Sequence, residues 1–176
     1  RALARYLFGD PTRMLRFDMN EFIAPGSAAR LVGTFAEPEG LLTAAVRRQP
    51  FAIVLLDEIE KAHPEVLDLL LQVLGDGRLT DGRGRTTDFA HTFIVMTSNL
   101  GAREAGGAVG FGDGMREPGQ VYRRAAERFF RPELYNRFDR VVPFAPLSRE
   151  HLETIASPMI EGVLERGRQN QRRCHL

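Results

Sequence analysis

The chain has 176 residues, enough for one domain with a sizeable core, and its 43% hydrophobic and 27% charged residues are those of a soluble globular protein. A net charge of +1 at pH 7 argues against a uniformly basic coat for nucleic acid, and no apolar run reaches the ~18 residues of a membrane span. The single cysteine, Cys174, has no partner for an internal disulfide, so the cytoplasm is the expected compartment.

Ala2, Leu3, Tyr6 and Leu7 recur at helical spacing and Gly9 can cap their helix. This opening stretch has no start methionine and no signal-peptide core, and reads as the back half of a helix in a longer polypeptide. "MLRFDM" (14–19) predicts a short strand. Residues 20–40 are rich in Pro and Gly and read as loop, with a helix over Leu41–Arg48 before Pro50. "FAIVLL" (51–56) is apolar on both alternating faces, as in a parallel strand covered by helices on both sides. Pro64 suits the first turn of the next helix, and Gly75 its C-terminal cap.

"RLTDGRGRTTDF" (78–89) carries a hairpin signal, and "HTFIVMTSN" (91–99) is a second buried strand ending in polar residues. Residues 101–120 hold seven glycines without periodicity and read as a flexible loop. A helix near 121–130 and a strand at "FDRVVPF" follow. Ser148 can cap a last helix that Pro158 kinks or interrupts, and the tail "RGRQNQRRCHL" frays. Strands alternating with helices predict an α/β fold with a mainly parallel sheet.

In such sheets chemistry gathers at the carboxyl ends of the strands. Here two central strands end in Asp57-Glu58 and in Thr97-Ser98-Asn99. Phosphoryl transfer to water needs a carboxylate for Mg²⁺, a group that orients the attacking water, and a neutral polar side chain at the terminal phosphate. An acidic strand end that has merely reached solvent is the competing reading.

The segments "VLLDEIEKAHPEV", "LLQVLGDGRLTDGRGRTTDF", "MTSNLGA" and "FRPELYNRFDRVVPFAPL" resemble, in order and spacing, the second ATPase module of ClpA, ClpB and ClpC, members of the Clp-type AAA+ ATPases. The resemblance implies a P-loop NTPase-type parallel sheet flanked by helices, divided into a large subdomain at 1–146 and the start of a helical lid at 147–176. It implies ATP and Mg²⁺ as cofactors, with Asp57 positioning the metal and Glu58 as general base. Asn99 would sense the γ-phosphate and the water. Arg137 would be an arginine finger reaching a neighbouring subunit of a homo-hexamer; an ion pair with Asp139 or Glu133 is its alternative. The implied activity is ATP-driven unfolding or disaggregation of protein. A nucleic-acid motor on the same scaffold and an inactive piece that retains only assembly surfaces are the alternatives.

Three departures qualify the resemblance. No G-x-x-x-x-G-K-[ST] phosphate loop occurs, so a truncated chain that binds ATP weakly is expected. The aromatic pore loop of the family looks shortened, leaving Phe35, for which packing under its own loop is the preferred reading. Gly101-Ala102-Arg103 has the letters of the lid arginine motif but the wrong position. Val109-Gly110-Phe111 resembles the tripeptide that docks on a ClpP-like peptidase. His63, His91, His151 and His175 lack metal-ligand spacing. Arg47-Arg48 reads as a solvent-facing helix end.

Overall fold

The computed structural model describes residues 1–102, 104, 118–144, 147 and 149–173, and of 118, 149 and 166–173 the backbone alone. Helix α1 (Ala2–Phe8) stops at Gly9, whose φ of 71° turns its N–H back to the carbonyl of Arg5. Strand β1 (Met14–Asp18) leads into a 3₁₀ turn (Met19–Phe22), then α2 (Ala28–Val32) and α3 (Leu41–Arg48). Strand β2 (Ala52–Asp57) and a second 3₁₀ turn (Ile59–Lys61) precede α4 (Pro64–Asp76). The hairpin strands β3 (Arg78–Thr80) and β4 (Thr86–Asp88) come before β5 (Thr92–Met96). After the glycine-rich region come α5 (Pro118–Phe129), α6 (Pro132–Tyr135) and the long α7 (Arg149–Arg173).

The main sheet is parallel, in the order β1-β2-β5, with Asp18 beside Asp57 and Leu56 beside Met96. Successive strand residues face opposite sides, so the burial of Ile53 and Val54 alike means both faces of β2 are covered. Val54 and Leu56 join one apolar cluster with Met19, Phe22, Leu31, Leu42, Val46, Ile59, Val66, Leu70 and Val73. Ala4 of α1, which packs on β2, is fully buried outside that cluster. Burying each such Leu, Ile or Phe side chain is worth roughly 1.5–3 kcal/mol, and this burial pins β2 at the sheet's centre.

The hairpin is locked by one buried carboxylate. Asp81 accepts hydrogen bonds from the backbone N–H groups of Arg83 and Arg85, from Arg85 Nε and from Arg47 Nη1. Burial would raise its carboxyl, but those donors hold it below the ordinary carboxylate range. At the turn itself, a Cβ on Gly82 would lie 2.0 Å from the carbonyl carbon of Thr34, so only glycine lets the turn seat on the loop over 33–40.

Several expectations change. The cap of α4 is Gly77, at φ 66°, and Gly75 lies inside the helix. Arg47 is no solvent-facing helix end: it reaches into the Asp81 cluster and bonds Thr87 as well. Phe35 is 91% exposed, not tucked under its loop. That loop closes backbone on backbone, a Cβ on Gly40 falling 2.1 Å from Val32. Residues 138–144 form no strand, since no described strand lies beside them to complete a ladder. Helix α7 runs through Pro158, and its backbone is helical along the expected frayed tail as far as Arg173.

By internal contacts the chain divides into Arg1–Val141 and Val142–Leu176. The second unit is built on α7. No described helix is long and apolar enough to cross a membrane. Arg103, Val109-Gly110-Phe111, most of the glycine-rich loop, Ser148, Cys174 and His175 lie outside the described residues.

Candidate active site

The three parallel strands end side by side, and their tips carry the polar groups. Asp57 closes β2, between Asp18 at the end of β1 and Thr97 just past β5. Thr97 is wedged into the backbone ladder: its N–H donates to Leu56 O and its carbonyl accepts from Ile59 N, both at 3.0 Å. Its hydroxyl donates to Asp57 Oδ1 and accepts from the N–H of Glu58.

These bonds hold Glu58 at φ 56°, ψ 53°, the one described non-glycine residue with positive φ. Such a conformation costs of order 1 kcal/mol and persists only where its surroundings impose it. Here it sets the Glu58 carboxylate between two amides. Asn20 Nδ2 donates to Oε2 at 2.7 Å, and Asn99 Nδ2 lies 3.4 Å from Oε1. Asn20 is itself fixed by Asp18, which caps the first 3₁₀ turn and accepts from both its backbone and side-chain nitrogens. Asn99 is fixed from below, its N–H donating to Glu60 Oε1 at 3.0 Å.

Asp57 takes a second partner, a cation. Arg16, on β1, places Nε 3.1 Å and Nη2 2.5 Å from Oδ2. The Thr97 hydroxyl first, and the Arg16 guanidinium with it, hold the Asp57 carboxyl below its ordinary range. It is therefore ionised at neutral pH and faces a positive charge. The donors at this tip are hard carboxylate and amide oxygens, the type Mg²⁺ prefers, and Arg16 already stands at Asp57 as a cation. No set of three or more His, Cys, Asp or Glu among the described residues could hold a metal alone. A Mg²⁺ that keeps waters and takes phosphate oxygens from a nucleotide fits this donor set.

Asp57, Glu58 and Asn99, singled out in the sequence, are thus brought together. Arg137 is not with them. Its guanidinium lies along α4 near Gly75, whose added Cβ would be 3.7 Å from Nη1. That is about 17 Å of helix beyond Pro64, at 1.5 Å per residue. Among the described residues Arg137 joins no salt bridge, with Asp139 and Glu133 or any other acid. Asn20 and Arg16 are not singled out by the sequence: Asn20 sits just past the first predicted strand and Arg16 in its middle, while Thr97 stands there only as part of the polar end of the second buried strand.

A family model described as the AAA domain (Cdc48 subfamily) matches residues 1–141. The chain belongs to the AAA domain family, in its Clp group. This AAA module is 46% identical over 173 residues to the chaperone protein ClpB of Vibrio vulnificus (strain YJ016), a match covering 94% of the chain and 20% of ClpB. It is 44% identical over 178 residues to the negative regulator of genetic competence ClpC/MecB of Bacillus subtilis (strain 168), covering 94% of the chain and 22% of ClpC/MecB. A closed-state reconstruction of Hsp104 with ATPγS and FITC casein superposes with a TM-score of 0.80 at 36% identity, covering 94% of the module and 29% of that chain. The module spans about a fifth of the length of these curated relatives. Nucleotide binding is the property the family carries with it.

Proposed function

We propose that this module hydrolyses ATP with Mg²⁺ as part of a homo-hexameric Clp-type ring, and that the energy unfolds or disaggregates protein substrates in the cytoplasm. The observation that supports this best is the convergence of Asn20 and Asn99 on Glu58, directly beside Asp57. Mg²⁺, held through Asp57, would neutralise charge on the phosphates. Glu58 accepts a proton from the attacking water through Oε1, the oxygen held only loosely. Asn99 orients that water and contacts the terminal phosphate. Arg137, lying away from its own acid pair, serves the nucleotide of the adjoining subunit, where a fixed, permanently charged fork suits spreading phosphate charge. Residues 147–176 are read as the start of the helical lid, and 1–146 as the large subdomain.

A ClpP-like peptidase docking at Val109-Gly110-Phe111 belongs to the same reading, and loss of capture in Phe111→Ala tests it. The relatives include ClpC/MecB and an Hsp104 structure with casein, which favours protein over nucleic acid as the substrate. The decisive comparison is ATPase stimulation in the complete polypeptide. An unfolded protein such as casein should raise turnover, and single-stranded DNA should not. The reverse result would assign the module to nucleic acid.

A further inference from the structure

Asp57 has both carboxylate oxygens engaged, and the two partners are not equivalent. Thr97, on Oδ1, is held by two backbone hydrogen bonds, to Leu56 and from Ile59, and its hydroxyl also accepts from the Glu58 N–H, so withdrawing it from Asp57 would break that bond as well. Arg16, on Oδ2, is a long side chain, 59% exposed, and both of its N–H contacts fall on that single oxygen. An exposed ion pair of this kind contributes little to stability, and its guanidinium can swing into solvent at small cost. A cation arriving at Asp57 therefore meets one partner that stays and one that yields.

We infer that Arg16 is a displaceable positioning residue that occupies Oδ2 of Asp57 when no metal is bound and is displaced when the metal-nucleotide complex enters. This rests on Asp57 being the metal-side carboxylate, as proposed above. The arrangement keeps the Asp57 rotamer set, with Oδ1 fixed by Thr97 and Oδ2 by Arg16, before any ligand arrives. Its cost is competition: the metal binds against a resident positive charge. Removing that charge therefore strengthens the metal's contribution to nucleotide binding. If Arg16 instead buttressed a metal-bound carboxylate, its removal would weaken that contribution.

The test uses the complete polypeptide and a slowly hydrolysed ATP analogue, with dissociation constants measured by calorimetry in Mg²⁺ and in EDTA. The ratio of the constant in EDTA to that in Mg²⁺ reports the metal's contribution, independent of turnover. Arg16→Gln should raise that ratio roughly two- to five-fold, the range an exposed ion pair allows. Arg16→Lys, which retains the charge, should leave it within about two-fold, and thermal unfolding verifies that both variants are folded. An unchanged or lowered ratio in Arg16→Gln overturns the proposal. Asp57→Asn separates it from the underlying reading. If the ratio collapses toward one in Asp57→Asn while Arg16→Gln has no effect, the metal reading stands and the role of Arg16 falls. If Asp57→Asn leaves the ratio unchanged, both fall.

Discussion

Asn20 Nδ2 lies 2.7 Å from Glu58 Oε2, tying a side chain just past the end of β1 to the carboxylate that follows β2. The same nitrogen also donates to Asp18 Oδ1, so the tether is anchored at both ends. One Glu58 oxygen is thereby held, and the other is left on the Asn99 side. Asn20→Ala should lower kcat about ten-fold with little change in KM, because orientation of the base is lost and not ground-state binding. Steady-state ATPase assays of the complete polypeptide measure this. A KM rise at constant kcat would place Asn20 in nucleotide binding instead.

Arg137 reaches no acid of its own chain among the described residues and lies against Gly75, well along α4 from the acid pair. A finger that acts on the neighbouring nucleotide makes a specific prediction for mixed rings. Arg137→Ala alone should lose about 10³-fold or more in turnover. Mixing it with Glu58→Gln subunits should restore part of the activity, since interfaces that pair an intact Glu58 with an intact Arg137 re-form. A mixture no more active than its separate components would confine Arg137 to its own subunit. Gly75→Glu should mimic Arg137→Ala by capturing the guanidinium, whereas Gly75→Ala, whose Cβ meets only ordinary contact, should not.

The Asp81 cluster sets a pH dependence. Its carboxyl is held below the ordinary range in the folded chain, so the unfolded chain binds the proton more readily. The stability it contributes is fully present above about pH 4, the ordinary value, and is lost as pH falls through the lower folded value. Asp81→Asn should therefore lower Tm at pH 7, and the gap to the unaltered chain should narrow as pH drops below about 4. Thermal unfolding followed by circular dichroism checks this. A gap constant with pH would mean that the carboxylate charge is irrelevant to the hairpin.

What could be read from the sequence depended on how far apart the partners lie. Glycine caps, the Pro64 start of α4 and the apolar run of β2 depend on neighbouring residues, and most of these elements formed within a residue or two of expectation. The shift from Gly75 to Gly77 shows the limit of this, because either glycine could have taken the left-handed turn. The acid pair and Asn99 were recognisable because each ends its own strand. Asn20 was not, since its partner is 38 positions away and its loop gives no periodic signal. Likewise "FDRVVPF" has strand composition, but a strand exists only with a neighbour, and composition does not supply one. Arg47 and Asp81 meet across 34 positions, so an arginine that looked solvated became part of a buried cluster.

The central claim, that Glu58 is the base at a nucleotide site formed by the tips of β1, β2 and β5, is tested most directly by Glu58→Gln in the complete polypeptide. ATP binding by calorimetry and hydrolysis in a single turnover are measured on the same preparation. Binding should stay within a few-fold of the unaltered protein while hydrolysis slows by about 10² to 10⁴. Undiminished hydrolysis would contradict it.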